Sequence, residues 1–312
     1  MSSMPERTAV VTGGAGFLGS HLVEELVRRK WRVRVVDDLS NGSRRNLSAV
    51  KDKVNFRRAS ILNPKAMDVA INGADVVFHM AAKVSVAESI ERPELYARAN
   101  VAGLIQVLEA ARRRDVKRFI FPSSAAVYAE EGPARKTERS PLRPVSPYAV
   151  TKVLGEALCR VYHEDHGLET VSLRLFNIYG ARQAAVGGYA SVIPKFLGAI
   201  ADGKRPVVNG DGRQTRDFIH VGDVVTAFLL AAERKGVSGE EFNIGSGKAV
   251  SIIALLDMIR TATGSKLQPK FVTARKGEVR DSCASIAKAK RLLGFQPRVS
   301  LAEGLARLSR QF

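Results

Sequence analysis

Thr12-Gly13-Gly14-Ala15-Gly16-Phe17-Leu18-Gly19 is the stretch on which the reading of the whole chain turns. It follows an apolar, β-rich run at 8–11 and opens a segment, 20–29, whose apolar residues recur every three to four positions. The glycines fall as GxxGxxG. Gly13 permits a tight turn, Gly16 lets the backbone approach a pyrophosphate, and Gly19 allows a helix to pack closely on a strand. A pyrophosphate bound there would meet the free N–H groups and positive dipole end of the following helix. At the end of the second β-rich run stands Asp37, close to the separation expected of an acid that binds a ribose diol. Its carboxylate would accept from the 2′-hydroxyl of NAD and repel the 2′-phosphate of NADP, and Asp38 adds to that repulsion. NAD is therefore expected, with Arg44 and Arg45 as the nearby counterweight.

Outward from this loop the first half alternates strand and helix. Residues 32–36, 54–57, 75–78, 118–121 and 170–173 read as further strands, several of them continuously apolar, as strands covered on both faces must be. Residues 101–113 and 148–163 carry helical spacing. This alternation predicts an α/β fold with a doubly wound, Rossmann-type parallel sheet. After Asn177 the loops lengthen, with helical stretches at 192–201 and 252–263. We expect a dinucleotide-binding domain at 1–176, to which 217–240 returns, and a smaller C-terminal substrate-binding region made of 177–216 and 241–312.

Composition bounds the classes open to the chain. Its 312 residues are 45% apolar with mixed charge, which predicts a globular protein. No apolar run has the ~18–20 residues of a membrane span, and the start, MSSMPERT, lacks a signal-peptide core. Cys159 and Cys283 form no metal or disulfide pattern, so no metal is expected and a cytoplasmic location is. The net charge of +18 stands out. Many of the basic residues sit in clusters at helix ends, such as Arg112-Arg113-Arg114, where they complement the helix dipole. They are not interleaved with aromatics as a nucleic-acid surface would require. The expectation is a solvated basic surface that also attracts anionic substrates, with no nucleic-acid or membrane partner.

Tyr148-Ala149-Val150-Thr151-Lys152 begins a helical pattern just after Ser146-Pro147. Spacing of four puts the phenol and the ammonium on one face. A free tyrosine, with a pKa near ~10, is a poor base at neutral pH. A neighbouring ammonium and a cationic nicotinamide are expected to lower it, so that Tyr148 exchanges a proton with a sugar hydroxyl while hydride passes to the cofactor. A third member belongs at the C-terminal edge of the preceding strand, where Phe121-Pro122-Ser123-Ser124 supplies hydroxyls.

TGGAGFLGSH, VVDDLSNG, HMAA at 79–82, Asn100, SSAAVY, SPYAVTK, LRLFNIYG and RDFIHV together resemble the extended short-chain dehydrogenase/reductase superfamily, from about residue 8 to 305. Within it the chain is similar to NAD-dependent UDP-sugar 4-epimerases. The resemblance implies that Ser124, Tyr148 and Lys152 are catalytic. Phe17, Leu18, Ala81, Asn100 and Phe176 would line the dinucleotide. Ser60-Ile61 would contact adenine where the family usually has Asp-Ile, serine accepting the adenine amine bond more weakly. Asn177, Arg216 and Arg275 would bind UDP, the two arginines through bidentate bonds to the diphosphate. Ser282 would face the C2 substituent of the sugar, and a residue so small leaves room for an N-acetyl group. The stretch 187–195 also looks like epimerases that handle UDP-N-acetylglucosamine. A homodimer through the helices at 101–113 and 148–163 is implied as well.

The same resemblance narrows the reaction. Related 4,6-dehydratases carry Asp-Glu directly after the strand-end hydroxyl, and nucleotide-sugar decarboxylases carry Glu there. This chain has Ala125-Ala126, which move no protons. The expected activity is C4 epimerisation of a UDP-hexose through a 4-keto sugar, covering UDP-glucose/UDP-galactose and UDP-GlcNAc/UDP-GalNAc. A nucleotide-sugar 4-ketoreductase is the alternative within the superfamily. A non-catalytic NAD-binding scaffold is the alternative outside enzymes, against which the intact Ser-Tyr-Lys set speaks.

Overall fold

A computed structural model describes residues 7–130, 135–183, 191–274 and 280–312. The first half runs β1 (Thr8–Thr12), α1 (Phe17–Arg28), β2 (Arg32–Asp37), β3 (Val54–Arg58), α2 (Pro64–Ile71), β4 (Val76–His79), α3 (Val86–Glu91), α4 (Pro93–Tyr96), α5 (Gly103–Arg113) and β5 (Arg118–Ser124). There follow β6 (Arg135–Lys136), α6 (Pro147–His166), β7 (Glu169–Leu175), β8 (Asn177–Tyr179), α7 (Val192–Ala201), β9 (Val207–Asn209), β10 (Thr215–His220) and α8 (Val221–Glu233). The chain closes with β11 (Glu240–Ile244), β12 (Ala249–Ser251), α9 (Ile252–Thr263), β13 (Lys270–Val272), β14 (Cys283–Ala284) and α10 (Leu301–Ser309).

Seven parallel strands form the central sheet in the order β11-β7-β5-β4-β1-β2-β3. This is the expected doubly wound Rossmann-type sheet. β11 begins where the returning segment was expected to end and pairs with β7, so residues 240–244 join the sheet. Helices cover both faces. One core packs α1 and α8 on the sheet through Leu22, Leu26, Val224 and Phe228. The other packs α2, α5 and α6 through Met67, Ile71, Leu108 and Cys159. A third core, with Phe196, Phe218, Leu256 and Leu305, joins α7, α9 and α10 to the small sheet β12-β10-β8. No helix among the described residues is long and apolar enough to cross a membrane.

Local chemistry sets the element that matters most. Ser146 caps α6 by accepting from the Ala149 N–H at 3.2 Å, Pro147 stands at its first position, and Gly167 ends it in the left-handed region (φ 67°). The helix expected at 101–113 is preceded by a π-turn, Ala97–Ala102, which carries Asn100. Such turns interrupt α-helices where a side chain must be re-aimed.

Candidate active site

β1 pairs with β2 on one side and β4 on the other, so the crevice where strand connections diverge opens at its C-terminal end. The Gly13–Gly19 loop lies there. Gly13 has φ 65°, and a Cβ on it would come 2.6 Å from the Ala81 nitrogen. A Cβ on Gly19 would collide with the Gly13 carbonyl. Packing alone therefore demands these two glycines. Gly16 differs: its Cβ would meet only the Gly13 oxygen, at 3.2 Å, so its outer side is open. It also starts α1 with no side-chain cap and no acid in the first turn, which leaves the first N–H groups for an anion. Phe17 and Leu18 form that first turn, Phe17 edge-on to His21 and Leu18 against the core.

Asp37 braces the loop. Its Oδ2 accepts from the Ala15 N–H at 2.9 Å and its Oδ1 from the Leu39 N–H at 2.8 Å. Burial pushes its carboxyl above the usual range, the two N–H bonds opposing. Of the two nearby arginines, Arg44 lays its guanidinium over the Phe56 ring at 5.0 Å. Ser60 and Ile61 follow β3, where the Ser60 hydroxyl accepts from the Leu62 N–H at 3.2 Å and Ile61 packs beside Gly103. Strand ends thus bring Gly13, Asp37, Ser60 and Ala81 to one edge of the sheet, a cradle that fits a dinucleotide.

Two residues placed against the dinucleotide by resemblance have other contacts here. The Asn100 amide donates to the Lys83 carbonyl (2.9 Å) and Thr151 hydroxyl (3.1 Å) and accepts from the Lys83 N–H (2.8 Å). It thereby ties the loop after β4 to α6. Phe176 is buried with Val127, Tyr128, Ala284 and Ile286.

Ser124 ends β5, and its hydroxyl accepts from the Ala126 N–H at 3.2 Å in the short turn Ala125–Val127. Tyr148 and Lys152, one turn apart on α6, are both buried. Burial pushes the phenol up, and the group opposing it is the Ser124 hydroxyl. The Lys152 ammonium is turned to the Pro122 carbonyl, 2.7 Å away, and lies 5.9 Å from the Tyr148 ring centre. Burial brings that ammonium down to about 8.

The C-terminal region holds a cavity of about 550 Å³ whose lining includes Asn177, Gln183, Lys195, Asn209 and Arg216. Asn177 and Arg216 are thus brought together, Arg216 donating to the Thr215 and Arg280 carbonyls at 2.8 and 3.2 Å. Arg275 lies outside the described residues, as do 187–190 of the 187–195 stretch. Ser282 is half-buried beside β10, its N–H donating to the Thr215 carbonyl at 3.2 Å, and it is not part of the cavity lining.

Three residues escaped the sequence reading. Lys83 spans from the β4 loop to Ser40 after β2, its ammonium 3.5 Å from that hydroxyl. His79, at the end of β4, is buried against Thr12 (3.1 Å). The Asp217 carboxylate accepts from the N–H groups of Ser246, Gly247 and Ala284 at 2.7, 2.9 and 3.0 Å, which secures the turn behind Arg216. The RDFIHV motif signals Asp217; nothing in the sequence near Lys83 relates it to the glycine loop.

The model of the NAD dependent epimerase/dehydratase family matches residues 9–245. A putative UDP-glucose 4-epimerase of Methanocaldococcus jannaschii is 38% identical, with 96% of each chain covered. A UDP-N-acetylglucosamine 4-epimerase from Methanobrevibacter ruminantium M1, solved in complex with UDP-N-acetylmuramic acid, is 34% identical with a TM-score of 0.94 and 98% of each chain covered. Similarity also reaches other chemistry. A UDP-N-acetyl-alpha-D-glucosaminuronate decarboxylase of Bacillus cytotoxicus is 35% identical, again with 96% of each chain covered.

Proposed function

The chain belongs to the NAD-dependent epimerase/dehydratase family, and on that footing we propose that it inverts C4 of a UDP-hexose through a transient 4-keto sugar. The observation that carries this reading is Ser124 at the end of β5, followed by two alanines instead of acids, with Tyr148 and Lys152 on α6. Bound NAD supplies the acceptor, and then the donor, of the hydride at C4. Tyr148 takes the proton from the 4-hydroxyl and later returns it. The Ser124 hydroxyl favours the ionised form of the phenol. Lys152, protonated below about pH 8, adds positive charge on the same side. The keto sugar turns about its diphosphate link between the two transfers and presents its other face. No step requires a carboxylic acid after Ser124.

Asn177, Arg216 and Arg275 are the proposed UDP contacts, and Ser282 the residue beside the C2 substituent. The proposed substrates are UDP-glucose and UDP-galactose together with their N-acetylated counterparts. A homodimer belongs to the same proposal. Val150, Leu154 and Val161 project from α6 at 41%, 45% and 45% exposure, an apolar stripe suited to a second copy. Sedimentation of wild type against Leu154→Lys tests it, a monomeric wild type being the contrary result.

The functional test is incubation with UDP-glucose, UDP-galactose, UDP-GlcNAc, UDP-GalNAc and UDP-glucuronate, with products read by NMR. Interconversion at C4 without net change in NADH is expected. Conversion of none of them, or stoichiometric consumption of NADH or NADPH, overturns the reading.

A further inference from the structure

α6 is fastened to the end of β5 at two successive turns. Lys152 donates to the Pro122 carbonyl, and one turn further on Glu156 accepts from the Ser123 hydroxyl. The Glu156 carboxylate also takes the fork of Arg174 from β7, with Nε at 2.9 Å and Nη2 at 2.7 Å. Arg174 donates its remaining nitrogen to the Tyr128 hydroxyl and the Glu138 carbonyl, both at 3.0 Å. Tyr128 in turn donates to Asn243 on β11 at 2.5 Å. Glu156 and Arg174 are each 3% exposed. Stability does not explain so buried a pair, because desolvation of two ions typically matches or exceeds their attraction. Its placement does. Ser123 precedes Ser124 on the strand, and Glu156 follows Lys152 on the same helix face.

We propose that Glu156 is a positioning residue for the reaction. It sets the register of the helix bearing Tyr148 and Lys152 against the strand end bearing Ser124, and it supplies the negative charge that keeps the buried Lys152 protonated. This rests on the reading that Ser124, Tyr148 and Lys152 are the reacting set.

The groups facing Lys152 support the second role. From β4 comes His79, pushed down to about 3 and so neutral. From β5 come the Phe121 ring and the Pro122 carbonyl. From α6 come Tyr148, with its phenol pushed up by burial, Cys159, with its thiol pushed up by burial, and Glu156. Cys159 and Glu156 both act to raise the Lys152 pKa. A thiol pushed up in this way carries no charge near pH 8, so the working anion is Glu156.

The test follows the Lys152 titration directly, by NMR of 13Cε-lysine-labelled protein, with the resonance assigned by its loss in Lys152→Arg. In Glu156→Gln the side chain still accepts from Ser123 but the charge is gone, and Arg174 is left uncompensated. The Lys152 midpoint is expected to fall by about one pH unit, a tenfold loss of proton affinity. The alkaline limb of kcat should move down with it while KM for the nucleotide sugar holds. Should Glu156→Gln fail to fold, Glu156→Gln/Arg174→Gln removes both charges. It is expected to titrate below wild type by about half a unit, since Glu156, and not Arg174, is among the groups that act on Lys152. A midpoint that stays in place or rises, in whichever of these variants folds, overturns the proposal and leaves the pair a purely structural one. Failure of the functional reading looks different: wild type would convert no UDP-sugar while the NMR shift persisted.

Discussion

Lys152 stands one helical turn from Tyr148 and gives its ammonium to the Pro122 carbonyl, 2.7 Å away, at 5.9 Å from the Tyr148 ring centre. At the phenol, burial raises the pKa and the Ser124 hydroxyl opposes it. Tyr148→Phe deletes the oxygen that moves the O4 proton and leaves ring packing against Tyr96 in place. Turnover should drop at least ~10²-fold, the scale of general acid–base catalysis, with NAD content of the purified protein unchanged. Near-normal turnover would remove Tyr148 from the mechanism.

Asp37 holds the Ala15 and Leu39 N–H groups while presenting a carboxylate at the end of β2. Calorimetry of wild type should give tighter binding of NAD than of NADP. Asp37→Ala should narrow the difference, since the anionic repulsion of a 2′-phosphate is gone. A wild-type preference for NADP contradicts the role given to this acid.

His79 links the site to stability. Burial, aided by the Lys152 charge, pushes its imidazole from 6.5 down to about 3. Below pH 6.5 the unfolded chain therefore binds a proton that the native chain refuses. Stability is lost as pH falls through this window, at up to about 1.4 kcal/mol per pH unit. Urea unfolding at pH 7 and pH 5 should show the loss, and His79→Gln should reduce the difference by about 2 kcal/mol. An unchanged difference in the variant would mean that His79 titrates normally.

Much of this was legible in the sequence, for identifiable reasons. Six of the seven strands in the sheet could be read: β1, β4 and β5 leave continuous apolar runs, as strands buried on both faces do, and β2, β3 and β7 show β-rich residues between helical segments. β11 could not, because Glu240-Glu241 opens an edge strand whose first residues are only half-buried. The π-turn at Ala97–Ala102 escaped because a single wide turn hardly disturbs helical spacing. Glu156 reads as one more solvated acid on an amphipathic helix until Arg174 and Ser123, from two different strands, are seen to close over it. The contact of Lys152 with the Pro122 carbonyl is hidden for a similar reason. Spacing of four shows that two side chains share a face, but not which carbonyl one of them turns to.

Ser282 tests the sugar range. Its N–H is fixed by the Thr215 carbonyl, so its position depends on β10 and not on its own small side chain. Ser282→Tyr should abolish turnover of UDP-GlcNAc and UDP-GalNAc by overlap with the acetyl group, yet leave UDP-galactose epimerisation largely intact. Equal loss of both activities, or a wild type that ignores acetylated sugars, would show that the acetyl group is limited elsewhere.

In the proposed reaction C4 is oxidised and reduced again within one retained complex. UDP-galactose carrying deuterium at C4 measures this most directly, with the UDP-glucose formed read by NMR and mass. Deuterium should remain at C4 of the product, no NADH should be released, and unlabelled NADH added to the medium should not dilute the label. Deuterium lost to solvent or exchanged with added NADH, or product that forms only when NADH is supplied in stoichiometric amount, would contradict this reaction.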